Sequence, residues 1–368
     1  MLSAESARVA SRRRYIDWAR GLAVLIMIEA HTLDAWTRTS SRHAAGFQYF
    51  SMLGGFAAPL FLWLAGLSLV LSAERTLVRT GQRSIATDAV VRRGAEIFIL
   101  AFLFRLQAFV LSPGSWPVTI FRVDILNVMG PSIACAGLVW GLSRGRRRSA
   151  LAFAVIATLI AMVTPLVRVA HWVDALPIWL QWHVRPFGDH TTFTLFPWAG
   201  FTFGGACCGV LLSTTRDATS ERRLLLLLAV AGTVLLWFGF FTASRPSLYP
   251  VSSFWTTSPT FFAIRAAVLL LALSALYALS VLVPGPSRPL DVLESFGRNS
   301  LFIYWIHVEL VYGYATWALH HRLPVWGTVV AYAFFTVLMY GAIVVKGRVQ
   351  GFRREGRAQK SPSQAVPA

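Results

Sequence analysis

Arg20 and His31, with ten residues between them, lie inside one apolar run, Ile16–Asp34, where a charged or titrating side chain is least tolerated. At about 100° per residue, Asp17, Arg20, His31 and Asp34 fall within a stripe roughly 100° wide, and Glu29 points to the opposite side. Ionisable groups in a membrane-spanning helix cost about 3 kcal/mol each on insertion scales, so they face a protein interior or a water-filled cavity and mark function. An imidazole, which titrates near pH ~6.5 in water, is suited to taking and returning a proton close to neutrality. Asp34 sits on the same face one turn on, where a carboxylate would fix the tautomer of His31 and stabilise its protonated form. Arg20 is about 16 Å down the helix from His31 at 1.5 Å per residue, too far to touch the same atom.

The elements that must position this stripe are membrane helices. A chain of 368 residues that is 56% hydrophobic and 14% charged, with a mean hydropathy of +0.58, has too little polar surface to coat a soluble globule. The expectation is an all-α, polytopic transmembrane bundle of about ten helices, near 15–36, 47–72, 90–111, 120–143, 149–170, 191–214, 223–243, 259–283, 299–319 and 324–345. A net charge of +18 could suggest nucleic acid, but the arginines follow topology. They crowd the N-terminus, alternate loops (Arg75 to Arg93, Arg144 to Arg148, Arg216 to Arg223, Arg288 to Arg298) and the tail, which places both termini in the cytoplasm. The bilayer is then the partner, nucleic acid is not, and a multi-pass protein of a bacterial cytoplasmic membrane is expected; homo-oligomers stay open. The chain divides into a basic tail (1–14), a membrane domain (15–345) and a second basic, disordered tail (346–368). Glu29, His31 and Asp34 interrupt the place where a signal-peptide cleavage region would follow, so the first helix is read as uncleaved.

Other residues add less. Cys135, Cys207 and Cys208 lie within spans and offer neither a disulfide framework nor a metal spacing. His171, His183 and His190 with Asp174 and Asp189 match no ligand pattern, so no metal is expected. Trp172, Trp179 and Trp182 in the same long loop suit an interfacial anchor first and a stacking face for a sugar second. Gly200, Gly204, Gly205 and Gly209 form small-xxx-small repeats that close helix packing explains. The ninth segment, Phe296–Glu309, repeats the opening anomaly: Ser300, Tyr304 and His307 share a helical face, and Glu309 lies on another. Asp124 and Asn127, three residues apart on the fourth helix, make a further intramembrane polar pair. Buried polar groups on separate helices meet around a shared cavity or through direct hydrogen bonds.

The Arg-x10-His pair within Ile16-Asp-Trp-Ala-Arg-Gly-Leu-Ala-Val resembles the signature of integral-membrane acyltransferases, including acyltransferase family 3. The whole of 14–345 is similar to the branch related to the catalytic domain of heparan-alpha-glucosaminide N-acetyltransferase. Ala58–Gly66, Val123–Gly130, Phe196–Gly200 and Phe296–His307 resemble that family's blocks, in order. The resemblance implies transfer of an acyl group, acetyl by preference, from cytosolic acyl-CoA to a hydroxyl or amine of a carbohydrate-type envelope acceptor on the far side. It implies an essential histidine, no tightly bound cofactor, and acyl-CoA as co-substrate. In the glucosaminide enzymes that histidine lies in the loop after the first helix, nearer His43 here, and the position matching His31 is asparagine. His31 is taken first and His43 second. On this reading His31 is the general base, assisted by Asp34. Arg20, with Asp17 and Asn127, serves the donor, while Asn127, Tyr304 and His307 stabilise the oxyanion or line the tunnel, and Asp124 is a further candidate site residue. A proton-coupled transporter with a midplane His/Asp/Arg cavity is the alternative, and the chain shows no inverted repeat in its favour.

Overall fold

The computed structural model describes residues 13–112 and 116–359, with side chains described as far as Gly351. Among these the architecture is all-helical, with two isolated bridges and no strand: α1 Arg14–Trp36, α2 Ala45–Gly54, α3 Ala57–Thr80, α4 Arg83–Leu111, α5 Ile125–Leu142, α6 Arg146–Arg168, α7 Ile178–Val184, α8 Leu195–Ser213, α9 Ala218–Ala243, α10 Pro259–Leu282, α11 Arg288–Arg298, α12 Ser300–Tyr312 and α13 Val325–Gln359. Eight stretches among the described residues are long and apolar enough to cross a membrane: α2 running on into α3, then α4, α5, α6, α8, α9, α10 and α13. This falls short of the ten spans expected, and the two missing are informative. α1 has the length but is broken by Asp17, Arg20, Glu29 and Asp34, and α12 stops at Tyr312 after 13 residues. They are the helices that carry the polar stripes.

α1 is the central post, packed against α3, α10, α11, α12 and α13, with Trp18 and Trp36 each 1% exposed. Two backbone-to-backbone contacts with α11 set its height. A Cβ at Gly21 would overlap the Leu293 carbonyl oxygen, and one at Gly297 would overlap the Asp17 carbonyl oxygen. α11 is amphipathic and is tied to α1 by Arg14, which reaches Asp291 at 2.7 Å and Glu294 at 3.0 Å. α3 and α8 meet as closely, because Gly66 lies on the Thr202 carbonyl and Gly205 on the Trp63 carbonyl, so part of the sixth-span glycine stripe serves packing. α5 begins at Asp124, whose backbone N–H donates to the Asn127 side-chain oxygen at 3.0 Å.

One boundary differs from expectation. The expected disordered tail is helical as far as Gln359, because α13 is anchored at its middle: Lys346 donates to the Asn299 side-chain oxygen at 2.9 Å and sits 4.4 Å from the Phe302 ring. Residues 360–368, and 1–12 of the first tail, lie outside the described residues. The long loop 171–194, too aromatic for a plain linker, folds as a roof. Val123 donates to the His190 carbonyl and accepts from the Thr192 N–H, both at 2.9 Å. Trp182 is 6% exposed against Val123, Val128 and Phe193, whereas Trp172 and Trp179 are 56% and 54% exposed, so only these last two suit an interfacial belt. Within the roof, the Arg185 hydrogen bond to Asp174 holds that carboxyl below the usual carboxylate range. No group of three or more His, Cys, Asp or Glu suited to a metal occurs among the described residues.

Candidate active site

One cavity of about 880 Å³ runs beside α1 between α3, α4, α5 and α12. Arg20, Ser68, Arg93 and Ser300 line one end, and Asp34, Thr119, Arg122, Thr192 and Tyr312 line the other. His31 lies between, with Met27, Ala58, Phe61, Leu64 and Phe104 on the walls. Three residues of the α1 stripe, Arg20, His31 and Asp34, thus line a single chamber. Glu29, on the other side of α1, is 7% exposed, has no hydrogen-bond partner for either oxygen among the described residues, and does not line it.

At the near end, Arg20 is built into a fork. Its Nη1 donates to Asp17 Oδ1 at 2.7 Å, one helical turn back, and its Nη2 donates to Ser68 Oγ at 2.5 Å. Asp17 is 1% exposed and stands behind Arg20, outside the lining, so its expected direct role toward a donor becomes a supporting one. Ser68, from α3, is a contact that a lone hydroxyl in an apolar run did not advertise.

At the centre two histidines meet. His307 is 0% exposed on α12, and its Nδ1 lies 2.7 Å from the Ile303 carbonyl, which can only accept, so Nδ1 carries the proton. In a neutral ring Nε2 is then an acceptor. It lies 3.1 Å from His31 Nδ1, which must therefore donate. The chain of donors leaves the neutral His31 ring with a bare lone pair on Nε2. The two rings are nearly parallel, at 5.1 Å and 19°, and Tyr312 stands edge-on to His31 at 5.6 Å. The partner that fixes the His31 tautomer is thus His307 and not Asp34. Asp34 accepts from the Tyr312 hydroxyl at 2.9 Å and pairs with Arg42 at 3.6 Å, because its carboxylate points out toward the far mouth.

The remaining expected residues divide. Asp124 lines the cavity and pairs with Arg105 Nε at 3.2 Å, and Tyr304 lines it beside His307 with ring centroids 6.0 Å apart. Asn127 does not line it: the residue is 0% exposed, its oxygen accepts from the Asp124 N–H at the start of α5, and its amide nitrogen, the group that could donate to an oxyanion, is buried away from the cavity. His43 is exposed on the loop between α1 and α2, outside the lining. Arg105, Arg122, Glu309 and Tyr312 were missed as site residues. Tyr312 could have been found, since it continues the Tyr304–Val308 row at helical spacing. Glu309 lines the wall although its oxygens are shielded and without hydrogen-bond partners.

Among curated proteins a sequence search finds no match. The family model described as an acyltransferase domain matches residues 13–348, which takes in the Arg20–His31 stripe, the α12 histidine and every wall of the chamber they share, and the chain belongs to that acyltransferase family.

Proposed function

We propose that the protein transfers an acyl group, acetyl by preference, from acyl-CoA entering at the Arg20 end to a hydroxyl or amine of a carbohydrate-type acceptor entering at the Asp34 end. The observation that carries this reading is the single cavity that joins a forked arginine at one end to an accepting histidine nitrogen at its middle. With the topology read from the arginines, the Arg20 end faces the cytoplasm, where acyl-CoA is made, and the far end faces the envelope of a bacterial cell. Arg20 and Arg93 would hold anionic groups of the donor, and the apolar wall between Arg20 and His31 suits an extended pantetheine arm over about 16 Å.

In the chemical step His31 Nε2 takes the proton of the acceptor O–H or N–H as that atom bonds to the thioester carbon. The C–S bond then breaks, and the imidazolium returns the proton to the departing thiolate, leaving acylated acceptor and free CoA thiol. His307 accepts from His31 Nδ1–H throughout and so keeps Nε2 pointed at the reacting atoms. The Tyr304 hydroxyl takes the oxyanion role that Asn127 cannot fill. The glucosaminide-type arrangement with its histidine in the loop is not supported at His43, though a glucosaminide-like acceptor is compatible with this site. The transporter alternative is not favoured by the family. The test is incubation of the purified protein with radiolabelled acetyl-CoA and an extract of cell-envelope glycans. Label in a glycan, absent with His31→Ala, supports the reading; acetyl-CoA that neither binds nor is consumed refutes it.

A further inference from the structure

The cavity holds four arginines, and three have a carboxylate within ion-pair distance: Arg20 has Asp17 at 2.7 Å, Arg93, half exposed, has Glu96 at 3.0 Å, and Arg105 has Asp124 at 3.2 Å. The mouth residue Arg42 is likewise paired, with Asp34. Arg122 is the exception. Among the described residues no carboxylate lies within ion-pair distance of it, and the only hydrogen-bond partner of its guanidinium is the Thr192 hydroxyl, reached from Nε at 3.2 Å and from Nη2 at 2.9 Å. That hydroxyl belongs to the roof segment pinned on Val123, so the guanidinium is held in place while its charge and its Nη1 donors are left unused. Arg122 also lies within electrostatic range of Tyr312, whose ring touches His31 and whose hydroxyl bonds Asp34. A fixed, uncompensated guanidinium at a cavity mouth matches an oxyanion, which it can meet with paired, charge-assisted hydrogen bonds. The carboxylates nearby do not answer for it: Asp34 and Asp124 are each engaged by another arginine, and the Glu309 oxygens are shielded within the wall.

We propose that Arg122 reads an anionic group on the acceptor, so that the substrate is a sugar carrying a carboxylate or a phosphate close to the hydroxyl or amine that is acylated. The anion at Arg122 would park that nucleophile beside Tyr312, in reach of His31. This inference rests on the acyl-transfer reading for its acceptor, but its core claim is binding, and binding is tested without turnover.

Equilibrium dialysis of the purified protein is run with radiolabelled methyl β-D-glucuronide, methyl β-D-glucoside 6-phosphate and neutral methyl β-D-glucoside. At least one anionic sugar is expected to bind about tenfold more tightly than the neutral one, a difference of ~1.4 kcal/mol, and which of the two does so separates a carboxylate from a phosphate acceptor. Arg122→Gln should erase the preference, Arg122→Lys should keep part of it, and Arg322→Gln, at an exposed arginine outside the cavity, should leave it intact. Unchanged acetyl-CoA affinity in Arg122→Gln certifies that the variant is folded; if that variant does not fold, the wild-type comparison and its loss at high salt still decide. Equal affinity for charged and neutral sugars, no binding of either anion, or a preference that survives Arg122→Gln overturns the proposal. Anion binding at Arg122 with no acetyl transfer would instead sink the acyl-transfer reading and leave the anion site standing.

Discussion

Replacing His307 tests the centre of the mechanism, because its only proposed work is done through another ring. In the structure its Nε2 is the acceptor of His31 Nδ1–H at 3.1 Å, and its own Nδ1–H is spent on the Ile303 carbonyl at 2.7 Å. His307→Ala leaves His31 Nδ1–H without a partner and frees the ring to flip or to adopt the other tautomer. Losing an outer partner that orients a functional histidine costs about 10–100-fold, which is ~1.4–2.7 kcal/mol in the barrier. An aspartate partner of a catalytic histidine is worth more, about 10⁴-fold, because a carboxylate also stabilises the imidazolium; a neutral imidazole offers orientation alone. The expected result in steady-state transfer from acetyl-CoA is a kcat reduced by about one to two orders of magnitude, with KM for acetyl-CoA near wild type. A packing defect would instead raise KM and lower thermal stability together. His307→Gln, whose side-chain oxygen can accept from His31, should recover part of kcat. If His307→Ala turns over at the wild-type rate, or if glutamine is no better than alanine at equal stability, the tautomer argument is wrong.

Other consequences are equally open to measurement. Arg20→Ala should weaken acetyl-CoA binding by calorimetry more than tenfold, or ~1.4 kcal/mol, and Arg20→Lys should restore only part because the fork is lost; an unchanged dissociation constant removes Arg20 from the donor site. Asp17→Ala strands the charge of Arg20 beside a buried site and should cost about 3 kcal/mol of stability, read as a lower melting temperature in detergent, with acetyl-CoA binding impaired alongside. His43→Ala should keep transfer activity within about twofold of wild type, ~0.4 kcal/mol, since its side chain is exposed and outside the cavity; an inactive variant would move the base to the loop. Gly297→Ala forces α11 off α1 at the Asp17 carbonyl and should destabilise by about 1–3 kcal/mol, detectable by the same melting assay.

What could be read in the sequence was governed by whether a signal was local. The helices were legible because each apolar run declares its own need for burial, and the two that fall short of a membrane span, α1 by its charges and α12 by its length, were the ones whose polar residues had already marked them. Arg20, His31 and Asp34 could be placed on one face because one helix's periodicity fixes their relative angles. Partners across helices had no such ruler. His31 and Asp34 share a face, so the carboxylate looked like the tautomer-fixing group, yet the approach of α12 brings His307 within 3.1 Å and turns Asp34 toward Tyr312 and Arg42. Asn127 failed for a different reason. Three residues after Asp124 it reads equally as an intramembrane polar group or as part of a helix start, and the structure buries it at the helix start, away from the cavity. Arg122 stood out least, since an arginine at a helix entry is ordinary; it acquires meaning only when each of the other cavity arginines proves to have a carboxylate partner. Chemistry carried by one helix is thus visible in a single sequence, whereas chemistry that depends on which charge remains unpaired after folding exists only in the assembled bundle.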